Sequence, residues 1–384
     1  MIYLDHAATT PPHPDVVKAV TEAMTRFYGN PSSLHKAGAE AGRVLQQARE
    51  VAARALGVSP GEIVFTSSGT ESNNAALKGV AFQYRDRGRH IVTTMVEHPA
   101  VYRVAKQLEE LGFSVTYLPV DRTGRVSPDD VERALRDDTL LVSIMHVNNE
   151  TGSLQPIAEI GRRLKRYPKV LFHVDAVQSF GKVPLDPKGW GIDLLSLTGH
   201  KLRGPRGVGL LYVREGVTLF PLLAGGGQEG GLRSGTENVP GIVGMAKAMR
   251  LIREEQAAKP DHFARLKRRL VAGLRAWGDR VLLNSPERDE EAAPHIVNFS
   301  VPGIKPEVLL HALEEEGYLL STKSACSSKK DEPSRVLMAM FGDEERARTG
   351  IRVSFGYETT ERDVDGFLAA LEKRLSELLA WMKG

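Results

Sequence analysis

The feature that most constrains this chain is an alternation that runs through its first half. Short apolar runs near 62–66, 90–94, 114–118, 140–145, 170–174, 194–197 and 208–213 are separated, for the most part, by stretches with helical spacing near 70–84, 100–111, 128–135 and 157–166. Two further helical patterns, near 14–26 and 36–56, come before the first run. The apolar runs have strand length, and helices between successive strands make the connections crossovers, so an α/β unit with a largely parallel sheet is predicted. In such sheets ligands bind beyond the carboxyl ends of the strands, which directs attention to the polar residues after each run. The alternation changes after a long helix predicted over 240–256, and the residues Ala257–Pro260 break the pattern. Beyond them, helices near 261–276, 306–316, 334–340 and 360–382 mix with short strands near 281–283, 295–300, 318–320 and 350–354, an α+β arrangement.

Composition narrows the function classes. With 384 residues the chain is long enough for two domains, and its 51 basic and 48 acidic residues leave a net charge of +3. That balance carries no broad cationic field of the kind that binds nucleic acid. No run approaches the ~18 apolar residues of a membrane span. The start, MIYLDHAATT, lacks the basic and apolar regions of a signal peptide, so a cytoplasmic location is expected. Cys326 is the one cysteine, which excludes an intrachain disulfide.

Lys201 follows the run at 194–197 in the segment DLLSLTGHKLRGPRGVG. A lysine in this position is a candidate Schiff-base residue for a carbonyl cofactor, and a solvated turn lysine is the plainer alternative. Ser67-Ser68-Gly69-Thr70 lies between a strand and a helix start, where backbone N–H groups suit an anion or simply cap the helix. Asn148-Asn149-Glu150 follows another strand and offers amide donors. Asp175 and Gln178 follow a third, in HVDAVQS; a strand-end Asp suits a protonated heterocyclic nitrogen, and also a helix cap. His98, in VEHPA, is placed to stack on a ring or move protons, or is structural. The histidines show no metal-binding spacing, so no metal site is predicted. Gly225, Gly227 and Gly230 match GxGxxG formally, but LRSGTEN follows them instead of a helix; a loop presenting Arg233 and Thr236 to an anion fits better. Arg352, in IRVSFG, is a carboxylate clamp or a structural ion pair. Cys326 lies among serines and lysines in STKSACSSKKDEPS, surroundings that favour an exposed thiolate.

Taken together and in order, LDHAATT, GNPSSLH, TSSGTESNN, VEHPAV, HVNNETG, HVDAVQS, TGHK, RSGTEN, the SAC segment and IRVSFG resemble the cysteine desulfurases. These are class V aminotransferase-like enzymes of pyridoxal phosphate fold type I. The resemblance implies a large domain over 14–256 with a mainly parallel seven-stranded sheet. It also implies a smaller α+β domain from 1–13 and 257–384, carrying a catalytic loop at 321–334. It implies pyridoxal 5'-phosphate joined to Lys201, with Asp175 at the ring nitrogen, Gln178 and Asn149 at the ring substituents and His98 stacked on the ring. Gly69, Thr70, Thr198 and His200 would hold the phosphate, with Thr236 reaching in from the second subunit of a homodimer. Asn30, Asn149 and Arg352 would meet the substrate, L-cysteine. Lys201, His98 and Cys326 would be catalytic, with Cys326 taking the sulfur as a persulfide and alanine leaving. Selenocysteine lyase and aminotransferase are the neighbouring activities, and the thiol of Cys326 argues against the second. The sequence Thr322-Lys323-Ser324-Ala325-Cys326 departs from the SGSAC common in long-loop members. The implied sulfur acceptor is an iron–sulfur scaffold or a tRNA thiolation enzyme, the first slightly favoured.

Overall fold

The computed structural model describes residues 1–322 and 332–381. Cys326 lies outside them. Twelve strands are found among the described residues: β1 (Ile2–Tyr3), β2 (Ile63–Thr66), β3 (His90–Thr94), β4 (Ser114–Leu118), β5 (Thr139–Met145), β6 (Leu171–Asp175), β7 (Leu194–Thr198), β8 (Gly209–Val213), β9 (Leu282–Leu283), β10 (Ile296–Ser300), β11 (Tyr318–Leu319) and β12 (Gly350–Ser354). Seven of them form one sheet in the order β2-β8-β7-β6-β5-β3-β4. β8 runs against both its neighbours, and the remaining pairs are parallel.

Adjacent residues of each strand go to opposite faces, and both faces are covered. Ile91, Leu141, Leu171, Leu194 and Leu211 pack in one core with Leu77, Val80, Val101 and Leu108 of the helices Gly69–Gln83 and Pro99–Glu110. Their neighbours Val92, Val142, Phe172, Leu195 and Leu210 belong to a second core on the other face, with Ala52, Ile160, Ile242 and Met249. Burial on both sides is why these strands read as continuous apolar runs. The second core continues through Phe263, Leu270, Phe299, Phe367 and Leu371, so it also joins the C-terminal part of the chain.

That part holds the antiparallel sheet β12-β10-β9 and the parallel pair β1-β11. The N-terminal lead therefore belongs structurally with segments more than 300 residues later, an association with no local signal. The long helix runs Val239–Ala258, two residues into the break predicted at 257–260. A short helix, Glu344–Arg348, was not anticipated from the spacing.

Candidate active site

The carboxyl ends of β5, β6 and β7 open into a cavity of about 270 Å³. Asp175 ends β6 and is buried. Its Oδ2 accepts from Asn73 Nδ2 at 2.7 Å and its Oδ1 from the Val177 N–H at 3.0 Å. Burial raises its pKa above the usual carboxylate range, while these two donors and the Lys201 charge pull it back. Gln178 lies beside it; its Nε2 donates to the Ala7 carbonyl at 2.9 Å, and its Oε1 is buried without a partner among the described residues.

β7 ends at Thr198 and passes into a short 3-10 turn, Gly199–Lys201. The turn delivers Lys201 into the cavity, where Nζ donates to the Ala8 carbonyl at 2.6 Å and to the Ala7 carbonyl. His200 also lines it, with burial first and then Lys201 pushing its pKa down to about 4.

The helix Gly69–Gln83 begins at the same cavity. Ser68 caps it, accepting from the Glu71 N–H at 3.1 Å. Gly69 is required by close approach: a Cβ there would come 2.9 Å from Val177 Cγ2. Gly69 and Thr70 thus bring the positive end of a helix to the cavity wall.

His98 precedes the helix Pro99–Glu110 and caps it, Nδ1 accepting from the Ala100 N–H at 3.1 Å. With Nδ1 used as an acceptor, the neutral ring carries its proton on Nε2. Burial, then Lys201 and Arg335, lower its pKa to about 4, so the ring is neutral at physiological pH. The asparagine pair divides its labour. Asn148 Oδ1 accepts from the Glu150 and Thr151 N–H groups and turns the chain, whereas Asn149 faces the cavity. Arg352, on β12, completes the wall. It is both a cavity residue and half of an ion pair, with Asp5 at 2.9 Å.

Of the described residues to which the resemblance gives a site role, ten are therefore brought together: Gly69, Thr70, His98, Asn149, Asp175, Gln178, Thr198, His200, Lys201 and Arg352. Two are not. Asn30 is exposed, its Oδ1 accepting from the Ser32 N–H at 2.9 Å, and Thr236 is exposed on the surface of this single chain. Several residues were missed. Asn73 lies four positions into its helix and had no signal beyond the TSSGTESNN motif. Glu97 is fully buried and pushed up to about 8 by burial, and both its oxygens accept from the Met145 N–H. Ser334 donates to Glu150 Oε2 at 2.5 Å, and Arg335 donates to the carbonyls of Met95 and Glu97 and covers the Tyr102 ring. Among the described residues no group of three or more His, Cys, Asp or Glu side chains is placed to hold a metal, and no helix is long and apolar enough to cross a membrane.

A family model described as aminotransferase class-V matches residues 2–367. The chain belongs to that family. Its class-V relatives include a cysteine desulfurase IscS of Dictyoglomus turgidum, 45% identical over 98% of this chain and 95% of the relative. Another, the cysteine desulfurase IscS of Methanosarcina thermophila, is 46% identical over 98% of this chain and 92% of the relative. The fold matches a solved NifS-like protein with a TM-score of 0.91 at 42% identity, covering 98% of this chain and 99% of the other. A structure of SspA in complex with cysteine matches with a TM-score of 0.79 at 35% identity, over 94% of this chain and 100% of the other. The class-V fold is pyridoxal phosphate fold type I, and its cofactor is pyridoxal 5'-phosphate.

The residues present fit that group. A buried acidic partner for a ring nitrogen, a Gln178 acceptor (without a partner among the described residues) for a phenolic O–H, a lysine amine and a helix start for a phosphate all face one cavity.

Proposed function

We propose that this chain is a pyridoxal-phosphate-dependent cysteine desulfurase, converting L-cysteine to L-alanine and carrying the sulfur as a persulfide on Cys326. The observation that carries the reading is the convergence of Lys201, Asp175, Gln178 and His98 on one cavity that Arg352 also lines. Lys201 and Asp175 would hold the cofactor at its carbonyl carbon and ring nitrogen, Gln178 and Asn149 its ring substituents, and Gly69, Thr70, Thr198 and His200 its phosphate. When bound, pyridoxal phosphate supplies an electron sink for carbanions formed on the substrate.

The rest of the chemistry belongs to side chains of this protein. Arg352 and Asn149 orient the substrate, Arg352 by its α-carboxylate. Lys201 Nζ takes the Cα proton. The neutral His98 ring, protonated on Nε2, packs over the site and is the second group able to move a proton. The Cys326 thiolate attacks the substrate sulfur: a new S–S bond forms, the substrate thiol gives up its proton, and the Cβ–S bond breaks with its electron pair going to Cβ. A proton added at Cβ and the return to Cα of the proton held by Lys201 complete alanine. Asn30 would act at the substrate carboxylate. Thr236 would act on the phosphate of a second subunit, which accords with its exposure in a single chain. A homodimer, a small domain from 1–13 and 257–384, a cytoplasmic location, and an iron–sulfur scaffold or tRNA thiolation enzyme as acceptor complete the proposal.

The test is incubation of the purified protein with L-cysteine and a reductant, with sulfide and alanine measured, beside Cys326→Ala. The variant should keep the visible absorption of the cofactor and lose sulfide release. Undiminished sulfide from Cys326→Ala would remove the persulfide step.

A further inference from the structure

Arg352 has a companion that the proposed chemistry does not use. Asp5 stands on the N-terminal lead, bridged to Ser354 at the end of β12. Its Oδ1 accepts from Arg352 Nη2 at 2.9 Å, and its Oδ2 accepts from the Ser321 hydroxyl at 2.6 Å. On the other side of the guanidinium, Nη1 donates to the Asn149 carbonyl at 2.8 Å. Ser321 is itself held by Arg352, whose backbone N–H donates to the Ser321 carbonyl at 2.7 Å. The Arg352 side chain is 1% exposed, and its Nε is buried without a partner among the described residues. Two acceptors on two different terminal nitrogens fix both the position and the plane of a rigid fork of five donors.

We propose that Asp5 is a positioning residue for substrate recognition. It sets the Arg352 guanidinium so that the remaining N–H groups meet the substrate α-carboxylate, and Ser321 holds Asp5 in turn. This rests on the desulfurase reading above, in which Arg352 receives that carboxylate.

Asp5 has two opposed effects on an incoming carboxylate. Its charge repels the anion, and its geometry prepares the guanidinium. Two substitutions separate them. Asp5→Asn removes the charge but keeps an oxygen able to accept from Nη2. Asp5→Ala removes both. If charge dominated, both variants would bind cysteine more tightly. If orientation dominates, Ala weakens binding and Asn largely rescues it.

The experiment compares holoenzymes. Asp5→Ala should raise KM for L-cysteine about tenfold with kcat within about threefold, while Asp5→Asn stays within about threefold of the parent in both. A second readout avoids turnover: titration with L-alanine and with ethylamine, which lacks the carboxylate, followed by the visible absorption of the cofactor. Asp5→Ala should weaken L-alanine about tenfold and leave ethylamine unchanged. Lower KM in both variants, or equal weakening of both amines, would overturn the proposal. If Asp5→Ala does not fold, Ser321→Ala should weaken L-alanine about threefold without affecting ethylamine, and no change would overturn it equally. A parent holoenzyme that yields no sulfide and alanine from L-cysteine would overturn the desulfurase reading itself, a result distinct from each of these.

Discussion

The two walls of the cavity have different origins. One is local to the sheet: Asp175, Thr198, His200 and Lys201 stand at or just beyond the ends of β6 and β7. The other is assembled from distant segments, with Ala7 and Ala8 from the lead and Arg352 from β12. They meet along the turn after β7. Lys201 Nζ donates to the Ala8 carbonyl, and the Thr10 hydroxyl donates to the His200 carbonyl at 2.7 Å and accepts from the Arg203 N–H at 2.8 Å. The local wall offers what a parallel sheet offers in general, strand ends and a helix start, and it suits the cofactor. The remote wall carries the group suited to a substrate carboxylate. On the proposed reading, most groups that would hold the cofactor come from the sheet, and the group for the substrate carboxylate comes from β12.

Lys201 belongs to both walls, so its replacement should have the largest effect. Lys201→Ala should lower desulfuration at least ~10³-fold, because on the proposed reading it removes the amine that would anchor the cofactor and move the proton. It also cuts the lysine's own two hydrogen bonds to the lead. Lys201→Arg keeps a cation that can still donate to the Ala7 and Ala8 carbonyls but loses the amine. It should be equally inactive while keeping more of the thermal stability. Appreciable turnover by either variant would show that the lysine's role is structural.

Asn73 tests the local wall alone. Without its Nδ2 donor, the buried Asp175 Oδ2 loses a hydrogen bond to its charged form, and the carboxyl pKa rises further. Leaving such a group unsatisfied costs about 1–3 kcal/mol, so Asn73→Ala should weaken cofactor binding by about 10- to 100-fold. KM for L-cysteine, measured with saturating cofactor, should stay near the parent value. A change confined to KM would move Asn73 to the substrate side and dissolve the division.

Thr10 tests the seam. Thr10→Val removes one donor and one acceptor while keeping the shape, and should lower stability to urea by about 1–2 kcal/mol. Cofactor affinity should change little, since no atom of Thr10 lines the cavity. Loss of cofactor in proportion to stability would mean that the lead carries the cofactor site after all.

The same division explains what could be read in the sequence. The sheet strands announced themselves as apolar runs, and Asp175, Lys201 and Gly69 drew attention because each follows one. Arg352 was legible as a clamp or an ion pair; the ion pair with Asp5 is present, and the residue also lines the cavity where a clamp would have to stand. Asp5 and Ser321 were not legible, because their role exists only once the lead crosses to β12, a contact 347 positions apart in sequence. Asn73 and Glu97 were hidden for another reason. Asn73 looked like one polar residue among several in a helix start, and nothing local shows that Glu97 is enclosed.

A last effect appears only in acid, and it distinguishes the walls by charge. The Thr10 seam is made of neutral groups, whereas the sheet is braced by His173, two residues before Asp175. Its Nδ1 lies 2.8 Å from the Ser143 hydroxyl on β5 and its Nε2 3.0 Å from the Ser196 hydroxyl on β7. Burial pushes its pKa down to about 3. The unfolded chain, with an ordinary histidine near 6.5, then binds one more proton between these values. The contribution is complete above about pH 6.5 and is lost as pH falls toward 3, at about 1.4 kcal/mol per unit. Glu97 and Asp175 act in the opposite sense, because burial raises their carboxyls and the folded state protonates first. A bare pH profile mixes these contributions, but the difference between the parent and His173→Gln isolates one proton. Urea unfolding should show the variant losing less stability between pH 6 and pH 4.5, by about 2 kcal/mol. Thr10→Val should run parallel to the parent over the same range. Parallel curves for His173→Gln would mean that the histidine is charged in the fold, and that its two hydroxyl partners both accept from it.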